Sequence, residues 1–435
     1  MVPSGGAARV RVTVAGGLSP VRQTLPNGAV VLAQETQFSP AVTINLAFRA
    51  GSLYDPLDRT GLAWFLARLI DRGTARRSAD AIAEGLDDRG VALKVSTNRH
   101  VSALSCTCLS EDFADVLDVL ADVARNPVFP AAQIEKRRAE MLTAIRQDQD
   151  NTGVRAAEAL QALLYPDAHP YGCPAKGTPA SVERMTHDDL IAQHAARFAP
   201  STLTAVVVGD VPADAAVERI AAAFEGWTAT PSADRQVPPV STACGTRVTI
   251  AMPEKAQADI AYGFVTISRL DPAYCAYWMM NMILGQFGLG GRLAENIRER
   301  QGMAYYAFSS FDPSLGPGPL VIRAGVDPVN VARALDAIDA EVGSLGRGGA
   351  TERECLDAKQ FLIGSIPRML ENNASIAMFL HSCEFFGLGL DYDRRLPALL
   401  QAVTRDQVNA AAAAVLDPSR ACAAVAGPPA VRDAI

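Results

Sequence analysis

The side chains that could hold a metal are scarce and badly spaced. The five histidines are His100, His169, His187, His194 and His381, and no two of them stand three or four residues apart. A helix delivers two imidazoles to one metal only at i, i+3 or i, i+4, so a zinc hydrolase built from this chain alone is not expected. The eight cysteines, at 106, 108, 173, 244, 275, 355, 383 and 422, include no Cys-x-x-Cys, which removes a zinc ribbon or a dithiol redox site. Cys106 and Cys108 stand two apart in a strand-like run and read as small buried apolar residues on one sheet face. The glycine-rich stretch 285–291 closes an apolar helix, with no Lys-Ser/Thr after it and no strand before it, so it is a poor phosphate cradle.

The elements that must position any site follow from length and pattern. The chain has 435 residues, 49% of them hydrophobic, with 47 acidic and 40 basic side chains for a net charge of −7. That length supports two or three domains with full cores, and the acidic balance argues against a nucleic-acid binder. No stretch is apolar enough for long enough to span a membrane, and the N-terminal residues lack the apolar segment of an intact signal peptide.

The chain reads as an internal duplication. Met185–Leu190 matches Val403–Val408, Phe198–Ser201 matches Leu416–Ser419, and Ala205–Gly209 matches Ala423–Gly427, all displaced by 218 residues. Each copy gives a threonine helix cap, an amphipathic helix, a Pro-Ser turn and an apolar strand. Strand runs at 41–49 and 259–267 open the two copies, followed by helices at 60–71 and 272–286. The expected organisation is an N-terminal extension (1–19), a first domain (20–227), a Pro/Ser/Thr-rich extended linker (228–246) and a second domain (247–435). The fold class is α+β: two homologous domains, each a mostly antiparallel sheet with helices packed on one face.

Residues 50–74 carry a more specific signal. The run from Ala50-Gly-Ser-Leu-Tyr-Asp-Pro through Thr60-Gly-Leu-Ala-Trp-Phe-Leu-Ala-Arg to Gly73-Thr74 resembles the opening of the pitrilysin/insulinase-type inverzincins. In that family a helix carries His-x-x-Glu-His, and a distant glutamate completes the zinc site. Residue by residue, the first His position is Trp64, the Glu is Ala67, the second His is Arg68, and the distal ligand is Ala144. An indole, two methyls and a guanidinium cannot ligate zinc. Further landmarks follow in order: Leu164 to Gly172, which includes His169 as part of a His-Pro-Tyr-Gly turn, then Gly177 to Ser181, then Val206 to Asp210. His187 and His194 read as surface or helix-packing residues.

The second domain keeps what the first has lost. Residues 292–306 resemble the family motif that carries an arginine and a tyrosine, which fall here at Arg298 and Tyr305. The resemblance implies two domains forming half of a clam-shell chamber, closed by a homologous partner subunit that bears an intact His-x-x-Glu-His and the zinc. This chain would then bind no metal or cofactor of its own. It would supply Arg298 and Tyr305 in trans, as fixed donors to the peptide backbone and the developing oxyanion. Gly288, Gly290 and Gly291 would touch peptide substrate, as in noncatalytic partners of the related mitochondrial processing peptidase. Other readings stay open: Arg292, Arg298, Glu295 and Glu299 could be a solvated face of ion pairs, and Tyr305 and Tyr306 could be core or wall residues. At the level of function, the alternatives are a purely structural subunit and a peptide-binding chamber without catalysis. Because two-chain bacterial relatives are often exported, the expected compartment is the periplasm, with the cytoplasm as the alternative.

Overall fold

The computed structural model describes residues 17–37, 39–166, 168–240, 245–286 and 290–434. The first half runs through β1 (Val21–Thr24), β2 (Val30–Glu35), β3 (Ala41–Phe48), α1 (Leu62–Ala67), α2 (Ala79–Asp87), β4 (Lys94–Thr97) and β5 (Ser102–Leu109). It continues with α3 (Phe113–Arg125), α4 (Ala131–Gln149), α5 (Thr152–Leu164), α6 (Pro179–Arg184), α7 (His187–Arg197), β6 (Leu203–Gly209) and α8 (Ala213–Ala223). The second half comprises β7 (Arg247–Ala251), β8 (Ala258–Val265), α9 (Tyr274–Asn281), β9 (Ala304–Phe311) and β10 (Pro319–Val326). Then come α10 (Val331–Gly348), α11 (Glu352–Met369), α12 (Asn373–Phe385), α13 (Tyr392–Ala402), α14 (Arg405–Val415) and β11 (Cys422–Gly427).

The repeat is visible in the strand order. The first sheet is β1-β2-β6-β3-β5-β4 and the second is β7-β11-β8-β10-β9, the same order without the extra edge strand β1. In each, one parallel pair (β2 with β6, β7 with β11) sits in an otherwise antiparallel ladder. The two copies also start their equivalent helices alike. Thr186 and Thr404 each cap the backbone N–H three residues on, and Asp189 and Gln407 reach back to close a capping box before α7 and α14.

One expectation needs extension. Helices do cover one face of each sheet, but the other face holds a helix lent by the opposite half. Helix α5 lays Ala156, Leu160 and Leu164 on Ala261, Val321, Cys422 and Ala424 of the second sheet. Helix α12 lays Ile376, Ala377 and Leu380 on Leu32, Val206 and Val208 of the first. Burying each leucine in this exchange is worth about 1.5–3 kcal/mol, so the halves are joined by core packing.

Polar contacts reinforce the joint. His100 of the first half has its Nε2 2.9 Å from the Tyr171 hydroxyl and 2.6 Å from Ser314 Oγ of the second. Burial and the neighbouring Arg99 hold His100 down at about 4, so the ring is neutral at pH 7. His169 accepts from the Tyr171 N–H through Nδ1 and reaches the Pro238 carbonyl, 3.1 Å away, through Nε2. Residues 228–240 have neither helix nor strand but are strapped to the first half, with Tyr54 donating to Asp234 and Arg235 donating to the Leu53 and Asp55 carbonyls.

Candidate functional site

Helix α1 is set by its entry. The chain reaches it through Gly61 at φ 91°, where a Cβ would lie 2.5 Å from the Lys176 carbonyl oxygen, so only glycine fits. The buried Asp55 carboxylate then caps the helix, accepting from the Gly61 and Ala63 N–H groups at 2.8 Å each. Burial pushes this carboxyl up to about 7, against the pull of those N–H bonds.

On α1 so anchored, Trp64 and Arg68 share a face one turn apart, and the Arg68 guanidinium lies over the Trp64 ring at 4.8 Å from its centroid. Helix α4 packs alongside and brings Glu140 to 3.8 Å from Arg68, with Ala144 one turn further on. Arg137 holds the same Glu140 at 2.6 Å and keeps its carboxyl below the ordinary carboxylate range. Burial raises the nearby Asp71 carboxyl, countered by Arg72, Arg137 and Arg68. Ala67 points a methyl into the core. The structure thus sets Trp64 and Arg68 of α1 beside Glu140 of α4, with a cation stacked on an indole where the resemblance would place imidazoles. The side chains at the four ligand positions do not fit zinc: none is a lone-pair donor to a metal, and the charge already there is positive. Among the described residues no three His, Cys, Asp or Glu side chains are grouped to hold a metal ion.

The second half presents its pair differently. Arg298 lies in a π-helical turn, Ala294–Arg300, with its side chain 46% exposed and Glu299 as its ionic neighbour at 3.6 Å. The turn is tied down by Asn296 to Glu341 at 2.6 Å, and just before it Arg292 reaches Glu354 of α11 at 2.6 Å. Of the solvated ion-pair face, Arg300–Glu295 and Arg298–Glu299 are present, whereas Arg292 leaves it for the body of the domain.

Tyr305 is the extra residue of a β-bulge. Along β10, Gly325 pairs with Tyr306 and the next residue, Val326, pairs with Ala304, so Tyr305 has no ladder partner. A bulge re-aims a side chain at a sheet edge, and Tyr305 is 68% exposed. Its neighbour Tyr306 turns the other way, into a hydrogen bond with the buried Asp259.

Of the three glycines, Gly290 is exposed, Gly291 packs against the backbone of Gly285, and Gly288 lies outside the described residues. The other histidines have structural partners: His194 Nε2 is 2.8 Å from the Ala124 carbonyl and His187 Nε2 is 3.3 Å from that of Val128. Reading the chain as a sequence missed Glu140 as the acceptor beside Arg68, Asp55 as the cap of α1, and Asp259 beneath the tyrosines. The acid in the otherwise apolar run 259–267 was the available signal for the last.

Residues 30–169 match the family described as Insulinase (Peptidase family M16), and residues 184–362 match that described as Peptidase M16 inactive domain. An uncharacterized zinc protease of Mycobacterium tuberculosis is 30% identical over 425 residues, covering 95% of this chain and 94% of that protein. The non-peptidase homolog YmxG of Helicobacter pylori is 26% identical over 384 residues, 87% of each chain. A solved structure, the peptidase M16 inactive domain from Pseudomonas fluorescens, has a TM-score of 0.89 at 27% identity, covering 94% of this chain and 98% of that one.

Proposed function

The chain belongs to the M16 peptidase family, and from that premise we propose that it is the noncatalytic subunit of a two-chain zinc peptidase that degrades peptides. A homologous partner with an intact His-x-x-Glu-His supplies the zinc and the hydrolytic water. This chain closes the chamber and contributes Arg298 and Tyr305 across it. The guanidinium binds the substrate backbone through its planar fork of N–H donors, and the phenol O–H donates to the oxygen on which negative charge develops.

One observation carries the reading. The four ligand positions are occupied by residues that exclude a metal, while the arginine and tyrosine of the second half stand exposed, the tyrosine on a bulge that turns it outward. A scaffold subunit has no need of that exposed pair. The non-peptidase description of the Helicobacter pylori relative supports the same assignment. The chamber would admit peptides and unfolded segments, entry requiring the two subunits to part. We propose the periplasm as the compartment of the complex, on the resemblance to two-chain bacterial relatives alone.

The test is turnover of the reconstituted two-chain complex carrying Tyr305→Phe or Arg298→Ala. Losing one oxyanion donor is expected to lower kcat by roughly 10²–10³ with assembly unchanged. Wild-type turnover in both variants would leave only a scaffold.

A further inference from the structure

Asp259 is 4% exposed in β8, a strand otherwise made of apolar and small residues and one tyrosine. Its partners come from both halves of the chain. Oδ1 accepts from the Tyr306 hydroxyl of β9 and Oδ2 from the Thr152 hydroxyl, the first residue of α5. The Gln257 amide donates to the two oxygens at 3.2 and 3.3 Å. Among the described residues these donors to the buried Asp259 are all neutral, and such an acid is costly to bury unless all of them are in place. The Tyr306 ring reaches it by lying across Gly325, where a Cβ would sit 2.5 Å from the ring, so the glycine leaves room for this pose. Burial, reinforced by the hydrogen bond to Asp259, pushes the Tyr306 phenol up, so it remains protonated and donating at neutral pH.

We propose that Asp259 is the positioning residue that aims Tyr305, acting through Tyr306 and the bulge between them. The proposal rests on the reading of Tyr305 as an oxyanion donor. The ladder breaks between Tyr306, opposite Gly325, and Ala304, opposite Val326. β9 is an edge strand, paired on one side only, so few hydrogen bonds resist a shift in its register. A one-residue slip exchanges the faces of every side chain in the strand. The buried anchor at Tyr306 prevents that slip and leaves Tyr305 facing solvent. Because Thr152 shares the acid, the aim of the tyrosine also depends on where α5 of the first half is seated. The partner's chemistry is thus served by a residue whose direction is set by contacts between the two halves of this chain.

The experiment measures kcat and KM of the reconstituted complex and, in the isolated chain, tyrosine nitration located by mass spectrometry. Variants are Tyr305→Phe, Tyr306→Phe, Asp259→Ala and Asp259→Asn, the last retaining an acceptor for Tyr306. In the wild-type chain Tyr305 should be nitrated and Tyr306 protected, and Asp259→Ala should expose Tyr306. Asp259→Ala and Tyr306→Phe should lower kcat by on the order of tenfold to a hundredfold with KM little changed, as expected for misplacement of a catalytic group. Asp259→Asn should recover much of the loss. Loss of kcat in Tyr305→Phe, with wild-type kcat in Tyr306→Phe and Asp259→Ala, would overturn the positioning role alone. Wild-type kcat in Tyr305→Phe would overturn the reading beneath it and the proposal together.

Discussion

The guanidinium of Arg68 lies 4.8 Å from the centroid of the Trp64 ring, one helical turn away on α1. In a zinc-bearing relative that face would offer two imidazoles to a dication. Here it holds a fixed organic cation, backed by Glu140 at 3.8 Å, so the site keeps positive charge without a metal.

Arg68→Ala is expected to change the emission of Trp64 and to cost about 0.5–1 kcal/mol, the range of a cation–π contact at an exposed site. Glu140 keeps Arg137 at 2.6 Å, so no carboxylate is left alone. Tryptophan fluorescence and thermal unfolding measure both effects; a loss of several kcal/mol would mean that Arg68 supports the fold beyond its contacts with Trp64 and Glu140.

Glu354 accepts from Arg292 at 2.6 and 2.9 Å and from the Thr351 N–H at 2.8 Å. Burial alone would raise its carboxyl, but the hydrogen bonds from Arg292 and Thr351 outweigh it and hold the group at about 2. With the folded value depressed below the ordinary 4.5, the contribution is fully present above 4.5 and is lost as pH falls toward 2. Glu354→Gln should therefore destabilise the chain by about 1–2 kcal/mol at pH 7 and by progressively less below pH 4.5. Urea titrations across that range check the sign.

Asp55 shifts the other way, from an ordinary 3.8 to about 7. Between those values the folded chain keeps a proton that the unfolded chain has released, so this group's contribution falls as pH rises through the window. Asp55→Asn is expected to flatten the stability profile there, and Asp55→Ala to cost about 1 kcal/mol through the lost cap. An unchanged slope in Asp55→Asn would contradict the assignment.

Leu160 joins the halves. It is buried where α5 meets the second sheet, and Leu160→Ala should cost about 2–5 kcal/mol. Because the contact crosses the joint, scanning calorimetry should resolve two transitions in the variant if the wild-type halves melt together. A single transition at the wild-type temperature would refute the exchanged-helix joint.

How far these features could be read beforehand depended on their range. The helix starts at Thr186 and Thr404, the Pro-Ser turns and the apolar strands are local patterns, and their common displacement by 218 residues revealed the duplication. Helical spacing alone would have read as an ordinary core helix at 61–70. The standing of Trp64, Ala67 and Arg68 at ligand positions was legible only through the resemblance of residues 50–74 to the family's opening. The exchange of α5 and α12 was not, because an amphipathic pattern marks an apolar face without naming the sheet that covers it. The bulge at Tyr305 was hidden as well, since it exists only in the register between β9 and β10. Asp259 and Thr152 are separated by 107 residues, and no local pattern joins them.

The central claim, that this chain is half of an active site, is tested most directly by titrating it into its zinc-bearing homologue while following peptide hydrolysis and the metal content of each chain. The expected result is a metal-free, inactive chain whose addition raises turnover until the two subunits are equimolar. Hydrolysis by this chain alone, or turnover of the homologue unaffected by its addition, would contradict it.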